Sequence, residues 1–238
     1  MACAYIGTSG FSYPEWKPSF YPAKLPQKGF LAHYASRLSA VEIDSTFYRF
    51  PRPTTLDAWR GATGPGFRFA LKAPQKITHR ERLVAGSDAV AYWASLLPRL
   101  GDRLGIVLYQ LPPFLKRDDE RLAAFIAALP PGAPVAFEFR HASWFCSEIY
   151  ALLRRHEAAL CIRDADDETT PLEITARCTY LRLRRAVYGP DGRRFWRERI
   201  DDWTARDIEV FAFVKHEGDP PAPWIALELA SEAGSVDR

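Results

Sequence analysis

The sequence predicts an α/β fold, a single closed (β/α)8 barrel over residues 1–238, and three observations carry that prediction. Short β-rich runs recur along the whole chain, stretches with helical spacing fall between them, and eight such units fit the length of one barrel. With 47% hydrophobic and 26% charged residues, the composition excludes an intrinsically disordered chain. A chain of this size buries roughly 70–75% of its unfolded surface, so its core needs neither metal nor disulfide.

The first strand is expected at Ala4 to Thr8, followed by a loop crowded with Phe11, Tyr13, Trp16, Phe20 and Tyr21 and by a helix over Lys28 to Leu38. The second strand, Val41 to Asp44, alternates: Val41 and Ile43 share one face, Glu42 and Asp44 the other. Phe47, Tyr48 and Phe50 crowd the loop after it, and Pro51-Arg52-Pro53 and Gly61 to Gly66 read as turns. The third strand, Phe67 to Lys72, sets Phe67 and Phe69 against Arg68 and Lys72, and a helix follows at Ser87 to Leu100. A fourth strand is expected at Gly105 to Gln110, then the turn Leu111-Pro112-Pro113. In the next helix, Asp118 to Leu129, the spacing of Leu122, Phe125, Ile126 and Leu129 marks a core face.

After the turn Pro130 to Pro134 comes a fifth strand, Val135 to Arg140, with Val135, Phe137 and Phe139 opposite Ala136, Glu138 and Arg140. A helix at Ser147 to Glu157 leads to a sixth strand, Ala159 to Asp164. The seventh, Thr179 to Arg184, opposes Leu181 and Leu183 to Arg182 and Arg184. The eighth is Val210 to Lys215, and a last helix covers Pro223 to Ala230.

If the apolar faces meet the outer helices, the polar faces point inward. Glu42, Asp44, Lys72, Glu138, Arg140, Asp164, Arg182 and Arg184 would then converge near the C-terminal mouth, where barrel enzymes keep their sites. The bland alternative is a self-neutralising ion network, since buried charges need partners.

Within that set, Glu138 reads as a general base or metal ligand, Arg140 as a bidentate anion binder, and His141 as a proton shuttle. Lys72, at a strand end, suits a phosphate or carboxylate as a point charge, with His79 in the following loop. His33 and His156 read as structural. Glu42, Glu138, His141, Asp164, His79 and His216 are the candidates for a divalent metal, although no H-E-x-x-H spacing joins them and no phosphate loop of the Walker type occurs. Ser9 lacks the G-x-S-x-G elbow of a serine nucleophile.

Charge and cysteine usage bound the partners. Lysine and arginine total 32 against 29 acids, a net +3 that does not by itself demand nucleic acid. Eight arginines between Arg177 and Arg199 interleave with Phe195 and Trp196, a pattern able to hold phosphates by charge and bases by stacking. The five acids of Asp164 to Glu173 are the alternative partners for that segment. Cys3, Cys146, Cys161 and Cys178 stand far apart, as in a reduced intracellular protein. Residues Met1 to Tyr5 show no basic-then-apolar leader and no apolar run approaches the roughly 18 residues of a membrane span, so a cytoplasmic location without membrane contact is expected.

Several ordered motifs also carry a family resemblance. GTSGFSYPEW (Gly7 to Trp16) with FYP (Phe20 to Pro22), VEIDSTFYRFP (Val41 to Pro51), Lys72 with ITH (Ile77 to His79), QLPPF (Gln110 to Phe114), EFRHASW (Glu138 to Trp144), Asp164, and Tyr180 with Arg182 resemble the YecE-like family, domain of unknown function 72. The resemblance implies a TIM-like barrel and no particular reaction. Barrels of that family look similar to those of endonuclease IV and sugar isomerases, which by analogy points to nucleic-acid or phosphodiester substrates. Three departures mark this chain: Asp44 where asparagine is usual, Arg184-Arg185-Ala186 where a His-Gly pair is commoner, and a last strand ending Val214-Lys215-His216-Glu217.

The resulting expectation is a mouth that binds a phosphate-bearing ligand, nucleic acid included, and hydrolyses a phosphodiester. Glu138, Asp164, His79 and His141 are the expected catalytic groups; Glu42, Asp44, Lys72, Arg140, Arg182, Gln110, Tyr48 and Trp144 the expected binding groups. A non-catalytic scaffold and a metal-dependent carbohydrate or phosphoester enzyme are the competing readings. The sequence fixes no cofactor and no oligomeric state.

Overall fold

The computed structural model describes residues 2–130, 134–215 and 222–231. Its strands are β1 (Ala4–Ser9), β2 (Ala40–Ile43), β3 (Arg68–Lys72), β4 (Leu104–Gln110), β5 (Val135–Glu138), β6 (Ala159–Asp164), β7 (Cys178–Leu183) and β8 (Glu209–Val214). They pair in chain order, every neighbour parallel, and β8 closes on β1. The expected barrel is therefore present. Closure requires a close approach at one point: a Cβ on Gly7 would fall 1.8 Å from the Ala40 carbonyl oxygen, so only glycine fits β1 against β2.

Parity along each strand sorts the side chains into two cores. Ala40, Ala70, Ile106, Leu108, Ala136, Ala159, Cys161, Phe211 and Phe213 fill the barrel interior, small residues facing large ones. Val41, Ile43, Phe69, Leu71, Phe137, Leu160, Ile162 and Leu181 face outward, where the helices cover them.

The helices are α1 (Phe30–Ala35), α2 (Ser45–Tyr48), α3 (Pro53–Gly61), α4 (Asp88–Leu96), α5 (Asp119–Ala127), α6 (Ser147–Arg155), α7 (Pro190–Ala205) and α8 (Ala222–Ala230). Ser87 caps α4 by accepting from the Val90 amide at 3.3 Å, and Asp118 caps α5 by accepting from the Arg121 amide at 3.0 Å. Three helices escape the sequence pattern, the first of them the single turn α2 in the loop after β2. In α3 only Leu56 is buried, so no apolar stripe announces it between its flanking turns. In α7 the buried residues Trp196, Ile200 and Trp203 keep helical spacing, but the arginines between them read as a charged surface.

Of the aromatics crowding the loop after β1, Trp16, Phe20 and Tyr21 are core, with Tyr21 stacked on Phe30 at 4.1 Å. His33 bonds the Phe20 carbonyl at 2.9 Å and His156 terminates α6, so both are structural as expected. All four cysteines are free thiols. Among the described residues, no helix is long and apolar enough to cross a membrane. His216 and Glu217, the expected end of the last strand, lie outside the described residues.

Candidate active site at the barrel mouth

The C-terminal ends of β1, β2, β3, β5 and β7 bring a charged layer onto the apolar interior. Arg182, inward on β7, is its centre: its guanidinium donates to Glu42 Oε1 at 2.8 Å, Glu138 Oε2 at 2.7 Å, Asp44 Oδ1 at 3.2 Å and Gln110 Oε1 at 3.3 Å. Glu42 further accepts from Ser9 Oγ at 2.6 Å, from Tyr180 at 2.7 Å and from Arg184. Glu138 also accepts from Arg140 Nη1 at 2.7 Å. Lys72 lies 3.5 Å from Asp44 and 4.2 Å above the Phe47 ring, which meets His79 edge-on at 5.0 Å.

These contacts decide the protonation states. Burial pushes the Glu42 and Glu138 carboxyls up, but Arg182, with Arg184 on Glu42 and Arg140 on Glu138, outweighs it. Glu42 is held well below the usual range and Glu138 below it, so both are anions. Arg182 is driven well above its ordinary value by Glu42, Glu138 and Asp44 despite its burial. Asp44 goes the other way: burial and the Glu42 charge raise it. Burial and Arg182 lower Lys72, while burial and Lys72 lower His79 and so favour the neutral imidazole.

The expected base Glu138 is thus a weak base, completely buried, with each oxygen engaged by an arginine. What it does is hold Arg140 and Arg182 in place. The partly exposed groups are Asp44 and Arg140, whose side chains are 36% and 32% exposed.

Asp164 is not brought into this layer. It shares strand parity with Leu160 and Ile162, so it faces outward and meets α7, accepting from Tyr188 and Trp196 Nε1 at 2.9 Å each. Thr169 and Arg185 complete its shell at 2.5 and 2.9 Å. Only the inward placement of Ala159 and Cys161 fixes Asp164, by alternation, on the outer face.

Two further expected site residues have structural contacts of their own. His141 Nδ1 accepts from the Ser143 amide at 3.1 Å and bonds its hydroxyl at 2.9 Å, capping the 3-10 turn Ala142–Trp144. Trp144 is core rather than a binding group: it stacks on outward-facing Phe139 at 4.6 Å and donates to the Leu115 carbonyl at 2.7 Å. Tyr48 is exposed at the rim, edge-on to Phe47.

Among the described residues, no three His, Cys, Asp or Glu side chains group closely enough to hold a metal ion. The expected ligands Glu42 and Glu138 spend their oxygens on arginines, and Asp164 faces the other side. The arginine-rich segment is largely paired: Arg193 with Glu228, Arg194 with Asp191, Arg197 with Asp201 and Arg185 with Asp164. Of the acids expected to neutralise it, Asp164 pairs with Arg185 and Asp166 accepts from the Ala186 amide at 3.1 Å, whereas Asp167 and Glu168 go to Arg163 and Glu173 to Arg154.

Sequence reasoning weighed Ser9 only as a nucleophile and missed it as a Glu42 partner, although parity with Tyr5 and Gly7 puts it inside. It also missed the backbone around His79. Lys76–Arg80 forms a π-helical turn, and Arg82 and Leu83 follow with φ of 52° and 64°. Such strain in successive non-glycine residues is typical of functional loops.

The model of the family described as "Protein of unknown function DUF72" matches residues 5–237. The UPF0759 protein YunF of Bacillus subtilis is 29% identical over 231 residues, covering 84% of this chain and 81% of that protein. The UPF0759 protein YecE of Escherichia coli is 31% identical over 142 residues, 59% of this chain and half of that protein. The crystal structure of a DUF72 family protein from Thermotoga maritima superposes with a TM-score of 0.82 at 25% identity, covering 95% of this chain and 97% of the other. One from Enterococcus faecalis shares the fold with a TM-score of 0.77 at 18% identity, covering 95% and 94%.

Proposed function

This chain belongs to the DUF72 family, and for it we propose that the barrel mouth binds a phosphate-bearing ligand, with Lys72 and Arg140 holding the anionic oxygens. One observation carries the reading. Among the described residues, the ion pairs of the inner-face layer set three carboxylates, Glu42, Asp44 and Glu138, against four cations, Lys72, Arg140, Arg182 and Arg184, which leaves one positive charge over in that pairing within a largely buried site. Two of the carboxylates are saturated by arginines, and Arg140 reaches the surface from one of them. Burial first and Arg182 second lower the lysine, and an incoming anion offsets the Arg182 repulsion. Guanidinium and ammonium together suit a phosphate, a nucleic-acid phosphodiester included.

Hydrolysis is the finer reading, and the opposed shifts of Asp44 and His79 favour it. A carboxyl raised by burial and Glu42 and an imidazole kept neutral by burial and Lys72 are a proton donor and acceptor near the same lysine. The test is thermal unfolding at low salt with inorganic phosphate, a short oligonucleotide or bis(p-nitrophenyl) phosphate, the last also followed for turnover. Saturating ligand at about 100 times Kd adds about 2.7 kcal/mol of stability. Arg140→Gln should weaken binding at least tenfold, and Asp44→Asn should remove turnover. No shift with any of these anions would overturn the proposal.

A further inference from the structure

A cavity of 480 Å³ opens between α2 and the start of α3, lined by Ser45, Arg49, Phe50, Arg52, Thr55 and Trp59 among others. Its size is that of a small-molecule site. Among the described residues no carboxylate lines it, and none pairs with Arg49 or Arg52; Asp57, the acid of α3, is held by Arg99 at 2.9 Å. The arginines of the mouth differ, since Arg140, Arg182 and Arg184 each have a carboxylate partner. The cavity lining therefore includes two arginines, Ser45 and Thr55, together with Phe50 and Trp59.

We propose that this cavity is a second anion site, distinct from the mouth, that takes a phosphomonoester whose ring lies against Phe50 and Trp59 and whose phosphate is gripped by Arg49 and Arg52. Two unpaired guanidiniums match a dianion better than a single carboxylate, and their planar forks match phosphate oxygens bidentately. Orientation follows from a neighbouring cavity of 320 Å³, which shares Ser45 and Trp59 and reaches Asp44. A ligand anchored at the arginines thus points its ring end toward the mouth. The inference does not rest on the mouth binding phosphate.

The test is calorimetric titration with ribose 5-phosphate at low ionic strength, with ribose as the uncharged comparison. In a protein whose mouth is disabled by Lys72→Met and Arg140→Gln, ribose 5-phosphate should still bind and ribose should not, and adding Arg49→Gln with Arg52→Gln should weaken binding at least tenfold. Absence of binding in the mouth-disabled protein, or binding indifferent to the two arginines, overturns the inference. The mouth reading is judged separately, by wild type against the mouth-disabled protein. Should the mouth-disabled protein fail to fold by circular dichroism, Arg49→Gln with Arg52→Gln in the otherwise native chain decides: loss of one bound equivalent supports the second site, and unchanged stoichiometry and affinity overturn it.

Discussion

Glu138 and Asp164 both end a strand, both are almost fully buried, and both accept from arginine, yet they stand on opposite sides of the barrel wall. Glu138 takes cations alone, Arg140 and Arg182. Asp164 takes three neutral donors, Tyr188, Trp196 and Thr169, with a half-exposed arginine at the edge. The inner carboxylate holds two guanidinium groups in place at the mouth. The outer one ties α7 and the loop before it to β6, a structural task that neutral donors perform without leaving charge over.

The comparison breaks most visibly at Arg182. Replacing it with methionine keeps much of the volume but strands Glu42 and Glu138, both completely buried, without their shared cation. Removing one partner of a buried ion pair costs about 3–5 kcal/mol, so Arg182→Met should show that loss in urea unfolding at pH 7. A loss below about 1 kcal/mol would mean that Ser9, Tyr180, Arg140 and Arg184 hold the two carboxylates on their own, and that the centre of the layer is misplaced.

How far this contrast was legible beforehand depends on the residue. Alternation in β2, β3, β5 and β7 placed Glu42, Lys72, Glu138 and Arg182 together because on those strands the charged residues all share the face opposite the large aliphatic and phenylalanine side chains. In β6 both faces are apolar until its end, Leu160 and Ile162 outward and Ala159 and Cys161 inward, so composition gave no face and Asp164 was grouped with the others by its charge. Trp144 was hidden by a different physical fact: aromatic residues in a loop after a strand serve a pocket or the outer core equally well, and only the stack on Phe139 decides. The unpaired arginines Arg49 and Arg52 were unreadable, because partners distant in sequence, or their absence, appear only in the folded chain.

A second intervention sharpens the comparison from the outer side. Asp164→Asn should cost about 1–3 kcal/mol, since the indole N–H and the Tyr188 hydroxyl lose an ionised acceptor while remaining buried. Phosphate affinity in the same variant should stay within twofold of wild type. Loss of binding at unchanged stability would place Asp164 in the site after all and dissolve the distinction between the two sides of the wall.

The smallest effect is the most discriminating, because it turns on sign. Glu42 and Glu138 have carboxyls lowered by folding, so their contribution to stability is present above the unfolded carboxylate pKa of about 4.3 and is lost as pH falls through their folded values. Asp44, raised by burial and by Glu42, behaves oppositely: its contribution is present below its unfolded pKa of about 3.9 and is lost as pH rises through the folded value. At pH 7 an ionised Asp44 is therefore a cost to the unliganded protein. Asp44→Asn should raise Tm at pH 7 and leave it unchanged at pH 3, where aspartate is protonated in either state. The side chain is 36% exposed, so solvent screening keeps the gain under about 1 kcal/mol, or about 4 °C for a chain of this size. A fall in Tm at pH 7 would show instead that the contacts of Asp44 with Lys72 and Arg182 outweigh its desolvation, and that the charge left over at the mouth is smaller than the pairing implies.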